Sequence, residues 1–132
     1  MTMSPEEREA FVRRPHTAVL ATVWRDGCIH AVPVWYRYAD GVFTILTERG
    51  SQKARNVERS GRATLCIDER EGAYRYATIE GPARVVEPVT YEERLALHRI
   101  YRDEEEARRV VDAGGHERLV KIVLTPERWL TS

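Results

Sequence analysis

The chain has 132 residues, of which 42% are hydrophobic and 32% charged, so the length favours a single domain over residues 1–132 and the composition excludes a disordered protein. The 21 Lys and Arg balance the 21 Asp and Glu, which argues against a nucleic-acid partner or a polybasic membrane-binding surface. No apolar stretch approaches the roughly 20 residues of a membrane helix, and the N-terminus lacks the charged-then-apolar order of a signal peptide, so the sequence predicts a cytoplasmic protein without a membrane partner.

In chain order, the sequence first predicts a helix and then three strands. Ser4-Pro5-Glu6-Glu7 is a capping box that begins a helix ending near Arg13. Runs rich in β-branched and aromatic side chains predict strands over 17–24, 29–38 and 42–47. Asp26-Gly27 and Asp40-Gly41 are hairpin turns, and Pro33 inside the second strand indicates an edge or a bulge.

The second half alternates helices with strands. Gly50-Ser51 opens a helix over 52–58 with Ser51 as its N-cap, and Thr90-Tyr91-Glu92-Glu93 is a second capping box that begins the longest helix, which Gly114-Gly115 closes after about Ala113. Further strands are predicted over 63–68, 74–87 and 119–124. Six short strands with tight turns and three helices favour a mainly β fold, a closed or nearly closed barrel.

The segment from Thr47 to Asn56 carries the strongest indication of a ligand site. A strand ends there and Gly50-Ser51 opens a helix, whose free N–H groups and positive dipole end attract anions. Ser51 adds a hydroxyl, and Lys53 and Arg55 add positive charge. Residues 49–62 include five basic residues and one acidic residue. This pattern predicts a phosphorylated small-molecule ligand, and the alternative is a capped surface helix with solvated basic side chains.

Aromatic residues on two predicted strands form a second candidate group. Trp35, Tyr36 and Tyr38 lie on one strand, and Tyr74 and Tyr76 lie on another. Alternation along a strand places Tyr36 and Tyr38 on one face and Trp35 on the other. These rings would flank a planar ligand or, in the simpler interpretation, fill the barrel core and a dimer interface.

The sequence offers little support for metal-dependent or nucleophilic chemistry. Cys28 and Cys66 are far apart, form no C-x-x-C pair, and are interpreted as small buried hydrophobic residues. Metal-ligand spacing is absent from the four histidines, His16, His30, His98 and His116. Hydrolase and phosphate-loop motifs are also absent, so no catalytic residue is assigned. A bound cofactor is expected to supply the chemistry.

Five segments, in order along nearly the whole chain, carry a family resemblance. They are Ala18–Thr22, Pro33–Tyr36, Gly50–Val57, Arg62–Leu65 and Tyr76–Ala83. Together they resemble the split β-barrel flavin and deazaflavin oxidoreductases, the superfamily related to pyridoxamine 5'-phosphate oxidase. The resemblance implies a six-stranded split β-barrel, the FMN-binding split barrel, with a few helices.

The resemblance also implies where a cofactor binds. Its phosphate would be held by Thr47, Ser51, Gln52 and Lys53, with Arg55 as an addition. An isoalloxazine-type ring would lie beside the segment Val34, Trp35 and Tyr36. Members of the superfamily form homodimers with the cofactor between the subunits, so a homodimer is expected.

Two departures from the family pattern bear on the cofactor and the substrate. Val32 stands where the pyridoxamine phosphate oxidases carry a phosphate-binding arginine, and residues 127–132 do not match their arginine-rich substrate segment, so vitamin B6 oxidation is not expected. The loss of that arginine and the long basic stretch favour coenzyme F420, which carries a phosphodiester and an acidic glutamate tail. FMN is the alternative, with Arg37 in place of the lost arginine.

The sequence therefore predicts an oxidoreductase that transfers a hydride between bound F420 and a small organic substrate, with the proton supplied by solvent. The first alternative is an FMN-binding oxidoreductase of the pyridoxamine 5'-phosphate oxidase-like family. The others are a non-catalytic flavin-binding carrier and a structural dimer that binds no chromophore.

Overall fold

A capped helix leads into the first four strands in the computed structural model, which describes residues 2–132. Helix α1 begins at the predicted capping box, where the Ser4 hydroxyl accepts the Glu7 N–H and the Glu7 carboxylate accepts the Ser4 N–H. The elements up to residue 60 are α1 (Pro5–Arg13), β1 (Ala18–Val23), β2 (Ile29–Val34), β3 (Arg37–Ala39), β4 (Val42–Glu48) and α2 (Gln52–Ser60). Asp40 and Gly41 both have positive φ, as the predicted hairpin turn between β3 and β4 requires.

The remainder of the chain adds four strands, two helices and a short 3₁₀ turn. These elements are β5 (Arg62–Glu69), β6 (Arg75–Val86), α3 (Tyr91–Tyr101), α4 (Glu104–Asp112), the 3₁₀ turn His116–Arg118, β7 (Leu119–Leu124) and β8 (Arg128–Thr131). The predicted caps are confirmed: Ser51 caps α2, and Thr90 forms a capping box with Glu93 at the start of α3.

The strands form one curled sheet in the order β2-β1-β5-β6-β7-β4-β3, with β8 paired to β6. The long strand β6 joins the two halves: its first part pairs with β5 and β8, and residues 83–86 pair with β7. The sheet path ends at β2 and β3, which are consecutive in sequence and separated only by Trp35 and Tyr36. The barrel is therefore split where these two residues lie, and the mainly β architecture predicted from sequence is confirmed.

The inner face of the sheet forms the hydrophobic core. Side chains from β1, β4, β5, β6 and β7 are almost completely buried there: Leu20, Phe43, Ile45, Leu65, Ile67, Ile79, Ile122 and Leu124. Alternate residues of each strand supply these side chains, as expected for a sheet with one buried face. Tyr36 and Tyr38 also point into this core, whereas Trp35 is half-buried outside it, so the predicted division of these aromatic rings is confirmed.

Gly81 allows two segments of backbone to cross closely. A Cβ at this position would overlap the backbone oxygen of Thr125 and lie 3.0 Å from the backbone nitrogen of Glu127. The 125–127 loop is held against β6 by hydrogen bonds from Thr125 N to Pro82 O and from Glu127 N to Glu80 O, both 2.9 Å. The glycine permits this approach because it has no side chain.

The structure has eight strands where the sequence predicted six. The predicted strand over 29–38 is interrupted at Trp35 and Tyr36, which separates β2 from β3. The break is held by Tyr101, whose hydroxyl accepts the Tyr36 N–H at 3.2 Å in place of a strand partner. The eighth strand, β8, pairs with β6 in a segment to which the sequence analysis assigned no element. Pro33 lies in β2, an edge strand of the sheet path, as predicted.

The longest predicted helix, up to about Ala113, is two helices in the structure. Helix α3 ends at Tyr101, and α4 begins at Glu104 with Asp103 as its N-cap. The Asp103 carboxylate accepts the Glu106 N–H at 2.8 Å. Aspartate side chains compete with the helix for backbone N–H groups, and the chain restarts at such a cap. The acidic run 103–106 is therefore the cap and first turn of α4.

The interpretation of the two cysteines as buried was wrong. Cys28 and Cys66 are both free and exposed. Cys28 follows the turn at Asp26, whose carboxylate accepts its N–H at 3.0 Å. Cys66 lies on β5 between buried Leu65 and Ile67, so strand alternation turns it to the outer face.

Candidate functional site

A cavity of about 330 Å³ opens at the split in the barrel. It lies where the end of β2 meets β4, the first turn of α2, one face of α3 and the start of β7. Its lining residues are Pro33, Val34, Trp35, Leu46, Lys53, Arg94, Leu97, His98 and Leu119. The lining is mostly apolar with two cations, a composition that suits a small molecule with a planar apolar part and an anionic group.

The first turn of α2 is arranged to receive an anion. The Ser51 hydroxyl accepts hydrogen bonds from Thr47 Oγ1 at 3.0 Å and from the Ala54 N–H at 3.4 Å, which leaves the hydroxyl hydrogen free to donate to a ligand. The Arg55 N–H bonds to Ser51 O. The N–H groups of Gln52 and Lys53, at the first two helical positions, are those that a helix leaves without an internal acceptor. We call Thr47, Ser51, Lys53 and the Gln52 N–H the α2 cradle.

The side chains of Gln52 and Arg55 are turned to each other and not to the cavity. Gln52 Oε1 accepts from Arg55 at 2.5 Å, and Gln52 Nε2 donates to Asn56 Oδ1 at 2.8 Å. Asn56 is buried and donates in turn to Thr22 Oγ1 at 3.1 Å. Of the five residues predicted to hold a phosphate, Lys53 lines the cavity, whereas Thr47, Ser51, Gln52 and Arg55 do not. Gln52 has its backbone N–H at the start of α2 for an anion, because its side chain is engaged by Arg55 and Asn56. Arg55 is exposed beside the α2 cradle.

The predicted ring-binding segment is divided by the structure. Val34 and Trp35 line the cavity, but the Tyr36 side chain points into the core, where its hydroxyl donates to Val12 O at 2.8 Å. Burial raises the pKa of Tyr36 far above its usual value, with a smaller contribution from Tyr101. The phenol is thus a neutral hydrogen-bond donor that anchors the core. Only the backbone of Tyr36 lies beside Trp35.

Trp35 is fixed against helix α3. The indole stacks on the Tyr101 ring with centroids 4.4 Å apart and planes inclined by 3°, and the Arg102 guanidinium carbon lies 5.2 Å from the indole centroid. The Tyr101 hydroxyl donates to His16 O at 2.6 Å and accepts the Tyr36 N–H. Helix α3, the split in the barrel and the indole are therefore one connected unit.

Sequence reasoning missed the side chains that α3 contributes to the cavity. Arg94, Leu97 and His98 lie three and four residues apart, so they share one helix face. Their spacing was visible in the sequence, but nothing there indicated which cavity this face would meet. Burial lowers the pKa of His98, and the charges of Arg102 and Arg94 lower it further. His98 Nδ1 accepts from Arg102 Nε at 3.2 Å, so the neutral ring carries its proton on Nε2.

The cavity is electropositive although the chain has no net charge. Lys53 and Arg94 reach it from two different helices, and no Asp or Glu lines it. Arg37, considered from sequence as a substitute phosphate ligand, lies outside this cavity and lines a separate space of about 40 Å³ with Thr44, Leu46, Glu93 and Leu97. Anion recognition in the main cavity thus falls to Lys53 and Arg94.

The described residues offer neither a metal-binding cluster nor a membrane-spanning helix. Within residues 2–132, no group of three or more His, Cys, Asp or Glu side chains is placed to hold a metal ion. Over the same residues, no helix has the length and apolar character needed to cross a membrane.

Comparison with known proteins relates this geometry to a family. A curated relative from Mycobacterium tuberculosis, F420H(2)-dependent biliverdin reductase, is 35% identical over 86 residues, which cover 64% of this chain and 61% of the relative's length. The crystal structure of a conserved hypothetical protein from the same organism superposes with a TM-score of 0.85 at 27% identity, covering 99% of this chain and 85% of the other. A structure described as F420 reductase has a TM-score of 0.78 at 23% identity over 96% of this chain and 98% of its own.

The superposition with these structures confirms the split-barrel fold class. The family model described as pyridoxamine 5'-phosphate oxidase matches residues 4–132, which include every element from α1 to β8. The chain therefore belongs to the pyridoxamine 5'-phosphate oxidase family.

Proposed function

We propose that this protein is an oxidoreductase that transfers a hydride between bound coenzyme F420 and a small organic substrate. The observation that carries the proposal is the cavity at the barrel split, where an anion-binding helix start and an aromatic-aliphatic wall lie together. The F420-dependent relative supports this cofactor, although the chain spans 61% of that relative's length.

The residues present fit a phosphate-bearing cofactor. Lys53 lines the cavity, and the turn that carries it also holds the Ser51 hydroxyl and the N–H groups of Gln52 and Lys53. A phosphate bound there would take charge-assisted bonds that contribute about 1.5–3 kcal/mol each. Apolar side chains of the cavity offer surface to a planar ring: Val34, Trp35, Leu46, Leu97 and Leu119. When bound, a reduced deazaflavin supplies two electrons as a hydride.

The chain's own residues would orient the reactants and exclude water. Trp35 is held in one plane by Tyr101, so it provides a fixed wall rather than an adaptable one. His98, kept neutral by its surroundings, offers an Nε2–H hydrogen-bond donor at the cavity. The proton that completes the reduction comes from solvent, because a neutral imidazole is a poor acid.

A homodimer is part of the proposal, and the outer face of the sheet supports it. The pairing register places one residue of each of five adjacent strands in a row: Pro33, Val19, Cys66, Thr78 and Leu130. The row contains no charge and its ends are exposed, with Leu130 60% accessible. Pro33 also lines the cavity, so a second copy on this face would complete the site. An exposed row of uncharged side chains that crosses five strands suits an interaction surface.

Light scattering tests the dimer. We expect about twice the 15.3 kDa chain mass at micromolar concentration, and a monomer for Leu130→Asp, because a buried unpaired carboxylate is costly. Glu71→Asp, in an exposed turn, is the control and should leave the mass unchanged. A monomeric unsubstituted chain would contradict this part of the proposal.

Titration calorimetry with F420 and FMN tests the cofactor. Lys53→Ala should weaken F420 binding about ten- to a hundredfold, because one charge-assisted contact to the phosphate is lost. Arg84→Ala is the matched control, since Arg84 is an exposed cation that does not line the cavity. Binding should also weaken with salt. Unchanged affinity in Lys53→Ala would exclude the α2 cradle as the phosphate site.

Competition at fixed salt separates the two cofactors. FMN binding at least about tenfold tighter than F420, a gap of about 1.4 kcal/mol, would favour the FMN-dependent alternative. Reoxidation of bound reduced F420 by a quinone such as menadione, followed by absorbance, tests turnover. Tight binding without any reoxidation would favour the carrier alternative.

A further inference from the structure

The two cations of the cavity have no carboxylate partner within residues 2–132. Ion pairs are otherwise frequent on this chain. Arg99 on α3 pairs with Glu104 at 2.7 Å, and Arg102, the C-cap of α3, pairs with Glu106 at 3.3 Å. Lys121, the second lysine of the chain, pairs with Glu93. Lys53 and Arg94 are thus left for an external anion, and they lie on separate helices.

Arg94 is held in place by a neutral contact. One guanidinium nitrogen donates to Gly114 O at 2.6 Å, which fixes the side chain without using its charge. An arginine has five N–H donors, so the remaining ones are available to a carboxylate. The pKa of the Glu117 carboxyl is lowered chiefly by a backbone N–H, with a small contribution from the charge of Arg94. Glu117 forms no ion pair with Arg94 and does not line the cavity.

Arg94 enters the cavity from the same face of α3 as His98. It lies one helical turn before His98 on the same face of α3, and His98 meets Trp35 edge-on with ring centroids 6.1 Å apart. The α2 cradle already offers its N–H groups, a hydroxyl and Lys53 to a phosphate. A second anionic group in the cavity would therefore be one that meets Arg94 on the α3 wall, on the His98 side of the cavity.

We propose that Arg94 binds a carboxylate of the organic substrate, so that the cavity selects acidic substrates with a planar apolar body. This inference rests on the proposed function only in treating the bound molecule as a substrate. The anion site itself is defined by residues of this chain. The apolar body would pack on Trp35 and Leu97 while the guanidinium takes the carboxylate, and the His98 Nε2–H lies beside it as a second donor. An arginine suits this role because its planar donors match both carboxylate oxygens.

The test compares two probes of the same shape, 2-naphthoate and the uncharged 2-naphthamide, by ligand-observed NMR on the cofactor-free full chain. Arg94→Gln should weaken 2-naphthoate about tenfold or more and change 2-naphthamide less than about threefold, because only the carboxylate loses a charged partner. Arg94→Lys should retain part of the affinity. The control is Arg99→Gln on the same helix, which should leave both probes unchanged, and thermal unfolding verifies that each variant is folded.

A second arm separates the substrate site from the cofactor site. Lys53→Ala should lower the affinity for F420 and change the affinity for 2-naphthoate less than about threefold. Arg94→Gln should lower the affinity for 2-naphthoate and change that for F420 less than about threefold, since the two cations would bind different anions. The proposal is overturned if the unsubstituted chain does not bind 2-naphthoate, or if Arg94→Gln weakens both probes equally or neither of them. It is also overturned if Lys53→Ala weakens 2-naphthoate as strongly as Arg94→Gln does. It is also overturned if Arg94→Gln weakens F420 as strongly as 2-naphthoate, because Arg94 would then hold the cofactor's acidic tail. Failure of F420 to bind the unsubstituted chain would count against the proposed function and leave the 2-naphthoate result intact.

Discussion

Removing one oxygen atom, in Tyr101→Phe, should loosen the split of the barrel. The Tyr101 hydroxyl donates to His16 O at 2.6 Å and accepts the Tyr36 N–H at 3.2 Å. Phenylalanine keeps the ring that stacks on Trp35 but leaves a backbone carbonyl and a backbone N–H without this partner. Burial raises the pKa of Tyr101, in keeping with a phenol shielded from water, so solvent only partly replaces the lost bonds.

The expected cost follows from these two contacts. A buried polar group left without a partner lowers the free energy of unfolding by about 1–3 kcal/mol. Because the Tyr101 hydroxyl is only partly shielded from water, we expect about 2–3 kcal/mol for the two backbone groups together. For a chain of this length, each kcal/mol lowers the midpoint of thermal unfolding by about 3–5 °C. We therefore expect a decrease of about 6–15 °C, together with weaker cofactor binding, because Trp35 is no longer held in one plane.

Urea unfolding followed by tryptophan fluorescence measures this change, with the slope m expected to stay constant. Tyr74→Phe is the matched control, since Tyr74 is exposed and lies in the segment before β6, and it should unfold at the midpoint of the unsubstituted chain. If Tyr101→Phe also unfolds at that midpoint, the tyrosine hydroxyl does not support the split, and the reasoning from its hydrogen bonds is wrong.

Three other substitutions or titrations give independent tests. Gly81→Ala should lower the free energy of unfolding by about 1–3 kcal/mol in urea, because the new Cβ overlaps the Thr125 backbone oxygen; an unchanged midpoint would show that the crossing is looser. Hydrogen bonding to Arg99 lowers the pKa of Glu104 to about 2. The ionised Glu104 carboxylate therefore stabilises the fold above about pH 4.5, and this stabilisation is lost as the pH falls towards 2. A carboxyl NMR titration with a midpoint near 4.5 would contradict this. Burial lowers the pKa of His98 from 6.5, so protonation favours the unfolded state below that pH, and an NMR midpoint above 6.5 would disprove it.

Local chemistry explains what the sequence determined about the fold. The caps of α1, α2 and α3 and the turn at Asp40-Gly41 are interactions between residues at most three apart, so their residue types alone identify them. Strand alternation likewise separated Tyr36 and Tyr38 from Trp35, and the structure buries the first two and leaves Trp35 half-buried. The family resemblance was also readable, since its segments follow one another along nearly the whole chain.

Long-range contacts decided the features that were missed. The interruption between β2 and β3 depends on Tyr101, which is 65 residues from Tyr36 along the chain. Strand β8 exists because β6 offers it a partner, and the exposure of Cys66 depends on which face of β5 meets the core. None of these partners can be read from a local pattern.

The candidate site divides in the same way. The sequence by itself determined the α2 cradle, because Gly50-Ser51 and Lys53 combine a helix start with a charge over a few residues. Only the tertiary structure decided that the Tyr36 side chain lies in the core and that Arg94 and His98 line the same cavity as Trp35. Helix periodicity places those two side chains on one face of α3, but the partner of that face is set by how the sheet curls.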